Sequence, residues 1–186
     1  IPILMIRTAK DVEIIDLQYI VEKIKSELSI LSNKNILLTG GAGFLGYYIV
    51  NTIAYWNEKN PTKSIKLIVI DSYIRGAPSW LTSISRSEDI ELIKHDITKE
   101  IDFELNDIDY IIHAASIASP IFYRKYPIQT MDANVLGVRN LLNFSLNQSE
   151  RNKKNISGFL FFSSSEVYGD PLVDMIPTKE SYWGNV

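Results

Sequence analysis

Hydrophobic and polar positions along this chain follow two different periods. Between Lys10 and Ser32 the apolar residues Ile14, Leu17, Val21, Ile24, Leu28 and Leu31 recur at steps of three and four, which predicts one helix over 10–32 with a single apolar stripe. Such a stripe packs against its own domain or meets a second helix, and it is too short for the sustained heptads of a coiled coil. Beyond Asn35 the pattern changes to short continuous apolar runs. Ile36 to Thr39, Ile65 to Ile70, Ile90 to His95, Asp109 to His113 and Phe159 to Phe162 read as strands. Helical stretches lie between them, from Leu45 to Trp56, closed by Asn60-Pro61, and from Ile128 to Leu146. Uninterrupted apolar strands alternating with helices predict an α/β domain built on a parallel sheet covered on both faces. No internal repeat, low-complexity tract or linker interrupts the pattern.

The polar clusters fall where such a sheet holds ligands. Thr39–Gly43, Asp71, Asp96, Ser116 and Ser163–Glu166 all lie at the carboxyl ends of predicted strands. The most informative of them is the run from Ile36 to Gly46, in which a buried strand leads into Gly40, Gly43 and Gly46 and then into an apolar helix. Gly40 permits a sharp turn, Gly43 lets the backbone approach a pyrophosphate, and Gly46 allows close helix packing. Exposed N–H groups and the dipole at the start of that helix would face the phosphates. The organisation is therefore a doubly wound, Rossmann-type domain over 35–186, preceded by an N-terminal helical extension over 1–34.

The spacing Gly-x-x-Gly-x-x-Gly, within Thr39-Gly40-Gly41-Ala42-Gly43-Phe44-Leu45-Gly46, resembles the cofactor loop of the extended short-chain dehydrogenase/reductase (NAD-dependent epimerase/dehydratase) family. That resemblance implies NAD as cofactor, with contacts from Gly40, Gly43, Phe44, Leu45 and Gly46. Asp71, closing the second strand, stands where a carboxylate accepts the ribose 2′-hydroxyl and repels a 2′-phosphate, which favours NAD over NADP. An aspartate there also suits the cap of the following turn, and Arg75 lies close enough to answer a phosphate. His95-Asp96-Ile97-Thr98 resembles the family segment whose Asp and following apolar residue hold the adenine, although Asp96 equally suits a helix cap. His113-Ala114-Ala115-Ser116 resembles the stretch beneath the nicotinamide, where Ala114, Ala115 and Ser116 would let a flat ligand lie against the backbone. His95 and His113 have no ligand-spaced partners and read as structural, so no metal site is expected.

A second match, Ser163-Ser164-Ser165-Glu166-Val167-Tyr168-Gly169-Asp170, carries the chemistry that the resemblance implies. There the hydroxyl at the position of Ser164 holds the sugar 4-hydroxyl, and a Tyr-x-x-x-Lys pair transfers the proton, the lysine lowering the tyrosine pKa. Dehydratases of the family carry Asp-Glu after that serine. This chain has Ser165-Glu166 and looks instead like the UDP-glucuronate decarboxylase (UDP-xylose synthase) branch. Ala118-Ser119-Pro120, Tyr123 and Pro127, and the stretch Ser181 to Val186, agree with that branch. The implied reaction oxidises the sugar C4, lets the β-keto acid lose carbon dioxide, and reduces the ketone again. Ser164 and Glu166 are the expected catalytic residues, with Ser165 and Tyr123 holding substrate; Glu166 is also compatible with a plain surface position. A UDP-sugar 4-epimerase and, from another class, a non-catalytic dinucleotide-binding module are the alternatives.

Composition narrows the remaining choices. The net charge of −3 gives no reason to expect nucleic acid or an anionic membrane as partner, and the absence of cysteine removes disulfides, thiolate catalysis and thiolate-bound metal. No apolar run is long enough to span a bilayer, and the opening Ile1 to Ile6 lacks the features of a signal sequence, so a cytoplasmic location is the default expectation. The family's Tyr-x-x-x-Lys is expected shortly after Trp183-Gly184-Asn185. The pairs Tyr19/Lys23 and Tyr55/Lys59 have its spacing, but on helices away from the strand ends. The expectation is a cofactor half that binds NAD without turning over a sugar nucleotide, lacking the C-terminal substrate lobe, with homodimerisation through the Ile128–Leu146 helix.

Overall fold

In a computed structural model, which describes residues 8–84, 87–105 and 107–184, the helix predicted over 10–32 forms as two. The opening residues 1–6, and Asn185 and Val186 of the Ser181–Val186 stretch, lie outside the described residues. Helix α1 (Ala9–Lys23) starts at a reciprocal cap: the Thr8 side chain accepts from the Asp11 N–H, and the Asp11 carboxylate accepts from the Thr8 N–H. Helix α2 (Lys25–Leu31) follows after Ile24, whose φ of −113° and ψ of 27° leave the helical region. No glycine or proline marks the break, and the apolar period continues through it, so the pattern alone gives one helix. Leu17 and Leu28 are buried, while Ile14 and Ile24 on the same stripe stay 39% and 38% exposed. The stripe packs against the helix after the first strand and the sheet beneath it.

The strands form where the apolar runs predict. They are β1 (Asn35–Thr39), β2 (Lys66–Asp71), β3 (Ile90–Lys94), β4 (Tyr110–His113) and β5 (Gly158–Phe161), all paired in parallel in the order β3-β2-β1-β4-β5. The fold is the doubly wound parallel sheet of the Rossmann type. Both faces are covered, which explains the uninterrupted apolar runs. Ile36, Leu38, Leu67 and Val69 enter one core with Leu28 of α2 and with Val50, Ile53 and Trp56 of α3 (Phe44–Lys59). Leu37, Ile68, Ile70 and Ile111 point the other way, against Leu141 and Phe144 of the long C-terminal helix. Each such side chain, removed from water, contributes about 2 kcal/mol before the entropy of ordering is subtracted.

Two six-residue helices had no counterpart in the sequence pattern: α4 (Ser79–Ile84) and α5 (Pro120–Lys125). Neither is long enough to display a helical period. After α5, Tyr126 breaks the helix and Pro127 opens α6 (Pro127–Asn152), with its fixed φ suited to the first helical position. Gln148 of α6, 2% exposed, accepts from the Ile108 N–H at 2.7 Å and donates to the Ile108 carbonyl at 2.9 Å. Next to it, Asp109 accepts from the Asn35 N–H at 2.9 Å and meets Lys154 at 3.1 Å. Together these bonds fix the amino ends of β1 and β4, and therefore what the two strands present at their carboxyl ends.

Candidate functional site

The strand order reverses at β1, so the chain leaves the sheet in opposite directions from β1 and β4 and a crevice opens between them. Gly40 begins the loop there with φ +75°, its N–H bonded to the Ile70 carbonyl at 2.9 Å. A Cβ on Gly40 would stand 2.6 Å from the Ala114 carbonyl oxygen and the Ala115 nitrogen, so the glycine is required by its dihedral and by the neighbouring backbone. At Gly46 a Cβ would come within 2.6 Å of the Gly41 backbone. The bare position thus lets the first turn of α3 close onto its own loop. Among the described residues, chain neighbours aside, a Cβ on Gly43 would meet only the Gly40 carbonyl oxygen, at 3.1 Å, and Gly43, Phe44 and Leu45 are exposed. The first N–H groups of α3, which have no partner within the helix, open onto this unobstructed side.

Asp71 holds the loop from the adjacent strand. One carboxylate oxygen accepts from the Ala42 N–H at 3.0 Å and the other from the Tyr73 N–H at 2.9 Å. The aspartate therefore caps its own turn and braces the glycine loop at once, and each oxygen retains a lone pair. Tyr73 sits at φ +52°, and its carbonyl accepts from the Gly76 N–H at 2.8 Å, which places Arg75 in a tight, anchored turn. The Tyr73 hydroxyl is buried without a hydrogen bond among the described residues, and burial followed by the charge of Asp71 raises its pKa.

On the other side of the crevice, the Ala114 N–H bonds to the Thr39 carbonyl at 3.1 Å. Beneath it Thr39 and His113 meet across the strand pairing, with Oγ1 2.6 Å from Nδ1. Burial pushes the His113 pKa down. The Ala133 backbone opposes that shift from α6 but lies outside hydrogen-bonding geometry, so Nε2 has no partner among the described residues. The direction of the Thr39–His113 bond follows the imidazole tautomer: a neutral ring protonated at Nε2 accepts from the Thr39 hydroxyl at Nδ1, and one protonated at Nδ1 donates to it. Gly137 of α6 lies beside this ring, where a Cβ would meet Cε1 at an ordinary 3.5 Å and the Ile97 side chain at a tighter 3.0 Å.

The remaining expected site residues divide. Ala114, Ala115 and Ser116 continue from β4 beside Gly40, and the Phe162 N–H bonds to the His113 carbonyl at 3.1 Å, bringing Ser163–Glu166 to the same end of the sheet. Ser164 accepts from the Glu166 N–H at 3.3 Å and starts a 3-10 turn over Ser165–Tyr168, with Ser164, Ser165 and Glu166 all exposed. Its hydroxyl proton remains available to an outside acceptor. Tyr123 lies half-buried on α5. Asp96 and Ile97 follow outer strand β3, with Asp96 accepting from the Thr98 N–H and hydroxyl at 3.0 and 2.9 Å. The Ile97 side chain is 6% exposed in the core against Leu141, which leaves only its backbone to face a ligand. Tyr19/Lys23 and Tyr55/Lys59 sit on α1 and α3, each ammonium 5.5 Å from its own tyrosine ring.

Sequence reasoning missed the Thr39–His113 pair and the contact of Arg75 with Phe122, whose ring centroid lies 5.5 Å from Cζ. Neither has a local signal, since each joins residues on different strands or loops. Among the described residues there is no cluster of three or more His, Cys, Asp or Glu able to hold a metal, and no helix long and apolar enough to cross a membrane. The residues present do fit a dinucleotide: a loop with no side chain on its open side, free helix N–H groups for a diphosphate, and a carboxylate with spare lone pairs for ribose hydroxyls.

Comparison with known proteins bears on the same residues. The sequence matches the model described as the NAD dependent epimerase/dehydratase family over residues 36–183. It is 43% identical over 155 residues to UDP-glucuronic acid decarboxylase 6 of Arabidopsis thaliana, covering 83% of this chain and 40% of that protein. Against UDP-glucuronic acid decarboxylase 1 of Danio rerio it is 35% identical over 159 residues, covering 86% and 34%. The chain thus spans about 40% or less of the length of these curated relatives. A solved UDP-glucose-4-epimerase from Stenotrophomonas maltophila, with bound NAD and formylated UDP-arabinopyranose, aligns with a TM-score of 0.62 at 23% identity over 82% of this chain and 43% of that one. A UDP-glucose 4-epimerase from Bifidobacterium longum in complex with NAD+ and UDP aligns with a TM-score of 0.53 at 25% identity, over 73% and 38%.

Proposed function

The chain belongs to the NAD dependent epimerase/dehydratase family, and on that premise we propose that it is the cofactor-binding part of a UDP-glucuronate decarboxylase. NAD is the cofactor of this family fold, and when bound it takes up and returns a hydride at the sugar. Gly40, Gly43, Phe44, Leu45 and Gly46 hold its diphosphate, Asp71 its ribose, and Ala114, Ala115 and Ser116 lie along its far half. Asp96 and Ile97 close the adenine side through their turn and backbone.

Ser164 donates its free hydroxyl proton to a sugar oxygen while one of its two lone pairs accepts from the Glu166 N–H. Glu166 places a carboxylate beside it for the reacting carbons, and Ser165 and Tyr123 position the substrate. The observation that carries the decarboxylase reading is the similarity of the chain, at up to 43% identity over 155 residues, to proteins named UDP-glucuronic acid decarboxylase. Exposed apolar residues on α6, among them Ile128, Met131, Val135 and Leu146, form the surface for a homodimer.

The test is product analysis with NAD and a panel of UDP-sugars. Release of carbon dioxide from UDP-glucuronate supports the decarboxylase, and a C4 epimer of a neutral UDP-sugar makes it an epimerase. In the complete protein, NAD binding with no product from any of them assigns a dinucleotide-binding module instead.

A further inference from the structure

Arg75 and Phe122 reach each other across the site. Arg75 is on the turn that follows β2, and Phe122 is on α5, which follows β4. In the sheet these strands are not neighbours: β1 runs between them and ends in the glycine loop. A contact joining the chain beyond β2 to the chain beyond β4 therefore passes over the carboxyl end of β1, where the loop is open. The guanidinium carbon lies 5.5 Å from the Phe122 ring centroid, within cation–π range. Among the described residues Arg75 forms no salt bridge, and Phe122 is 40% exposed, so neither is held in place by a core or a counter-charge.

Both ends of this contact are anchored to the site. On one side the Asp71 carboxylate fixes the Tyr73 N–H, the Tyr73 carbonyl fixes the Gly76 N–H, and Arg75 is carried between them. The other oxygen of Asp71 holds the Ala42 N–H in the glycine loop. On the other side the Phe122 and Tyr123 N–H groups bond to the Ser119 carbonyl, both at 2.9 Å, fixing the first turn of α5. A short, braced turn and a short, braced helix thus present one cation and one ring to each other above the loop.

We propose that Arg75 and Phe122 form a strap over the dinucleotide crevice that slows NAD release, an inference that rests on the assignment of this crevice to NAD. The strap holds no part of the cofactor. It must part for the dinucleotide to leave, and its strength enters the dissociation rate directly.

The experiment is the dissociation rate of NAD from the full chain, followed by stopped-flow displacement, for Arg75→Gln, Phe122→Leu, the double variant and Phe122→Tyr. The expected result is about a two- to fivefold faster release for each of the first two, the range an exposed cation–π contact supports. The double variant releases NAD no faster than the singles, because the strap is already open, and Phe122→Tyr, which keeps a ring, retains slow release. Effects that multiply in the double variant would mean that Arg75 acts on the cofactor's own charge, and would overturn the strap. Unchanged rates in a chain that binds NAD would overturn it too and leave the NAD assignment standing. A wild-type chain that binds no NAD would remove both.

Discussion

Thr39 and His113 sit opposite each other on β1 and β4, 2.6 Å apart at Oγ1 and Nδ1, with 0% and 1% of their surfaces exposed. Each is the last residue of its strand, so one buried hydrogen bond joins the two chain segments that line the crevice. Thr39→Val keeps the shape but removes the hydroxyl, leaving Nδ1 without that partner in the core. The expected cost is about 1–3 kcal/mol, read from urea unfolding; a loss below about 0.5 kcal/mol would show the bond to be idle.

The same histidine makes stability depend on pH. Burial is the larger influence and lowers the folded-state pKa, with the Ala133 backbone opposing it, so the folded chain keeps His113 neutral where the unfolded chain protonates it. Its contribution is complete above the unfolded value of about 6.5 and is lost as pH falls from there toward the folded pKa. Urea midpoints measured from pH 7.5 down to 5 should decline more steeply in the wild type than in His113→Phe. Parallel curves would remove His113 as the cause.

Gly40 and Gly76 both have positive φ, but only Gly40 is crowded: a Cβ on Gly76 meets nothing within 4 Å. Gly76→Ala should therefore cost only the strain of a left-handed alanine, about 1–2 kcal/mol. Gly40→Ala adds a collision with the Ala114–Ala115 backbone and should weaken NAD binding more than tenfold by calorimetry. Equal effects of the two on stability would show that the chain beyond β4 yields.

Asp71→Ala frees the Ala42 and Tyr73 N–H groups and removes the carboxylate proposed to hold the ribose. We expect NAD affinity to fall by about tenfold to a hundredfold, the equivalent of one or two charge-assisted hydrogen bonds, and the preference for NAD over NADP to narrow. An unchanged preference would place the ribose elsewhere.

Glu166→Gln tests the exposed loop after β5. In the complete enzyme, turnover of UDP-glucuronate should drop by about a hundredfold or more while NAD affinity stays level, as for a group acting on substrate alone. Unchanged turnover would return Glu166 to the surface.

Those parts of the molecule governed by local spacing were legible in the sequence. The five strands fall within a residue or two of their apolar runs, because a run covered on both faces needs no partner to identify it. The glycine loop was equally plain, since its residues are consecutive. The break at Ile24 left no trace, as the stripe continues through it, and α4 and α5 were too short to show a period. The parts that join distant residues were hidden: Asp71 to Ala42, Thr39 to His113, Arg75 to Phe122. These depend on strand order, which periodicity does not encode. Ile97, which the resemblance places at the adenine, has its side chain in the core with Leu141 and its carbonyl accepting from Asn140, neither of which the sequence shows.

Leu28, on α2, is 2% exposed within the same core as Ile36, Val50 and Val69. The family match, however, begins at Ile36. The interval that the family model matches and the interval that packs as one core are thus different. Trimming the protein to residues 36–183 would take Leu28 out of that core and leave apolar surface bare where it now packs.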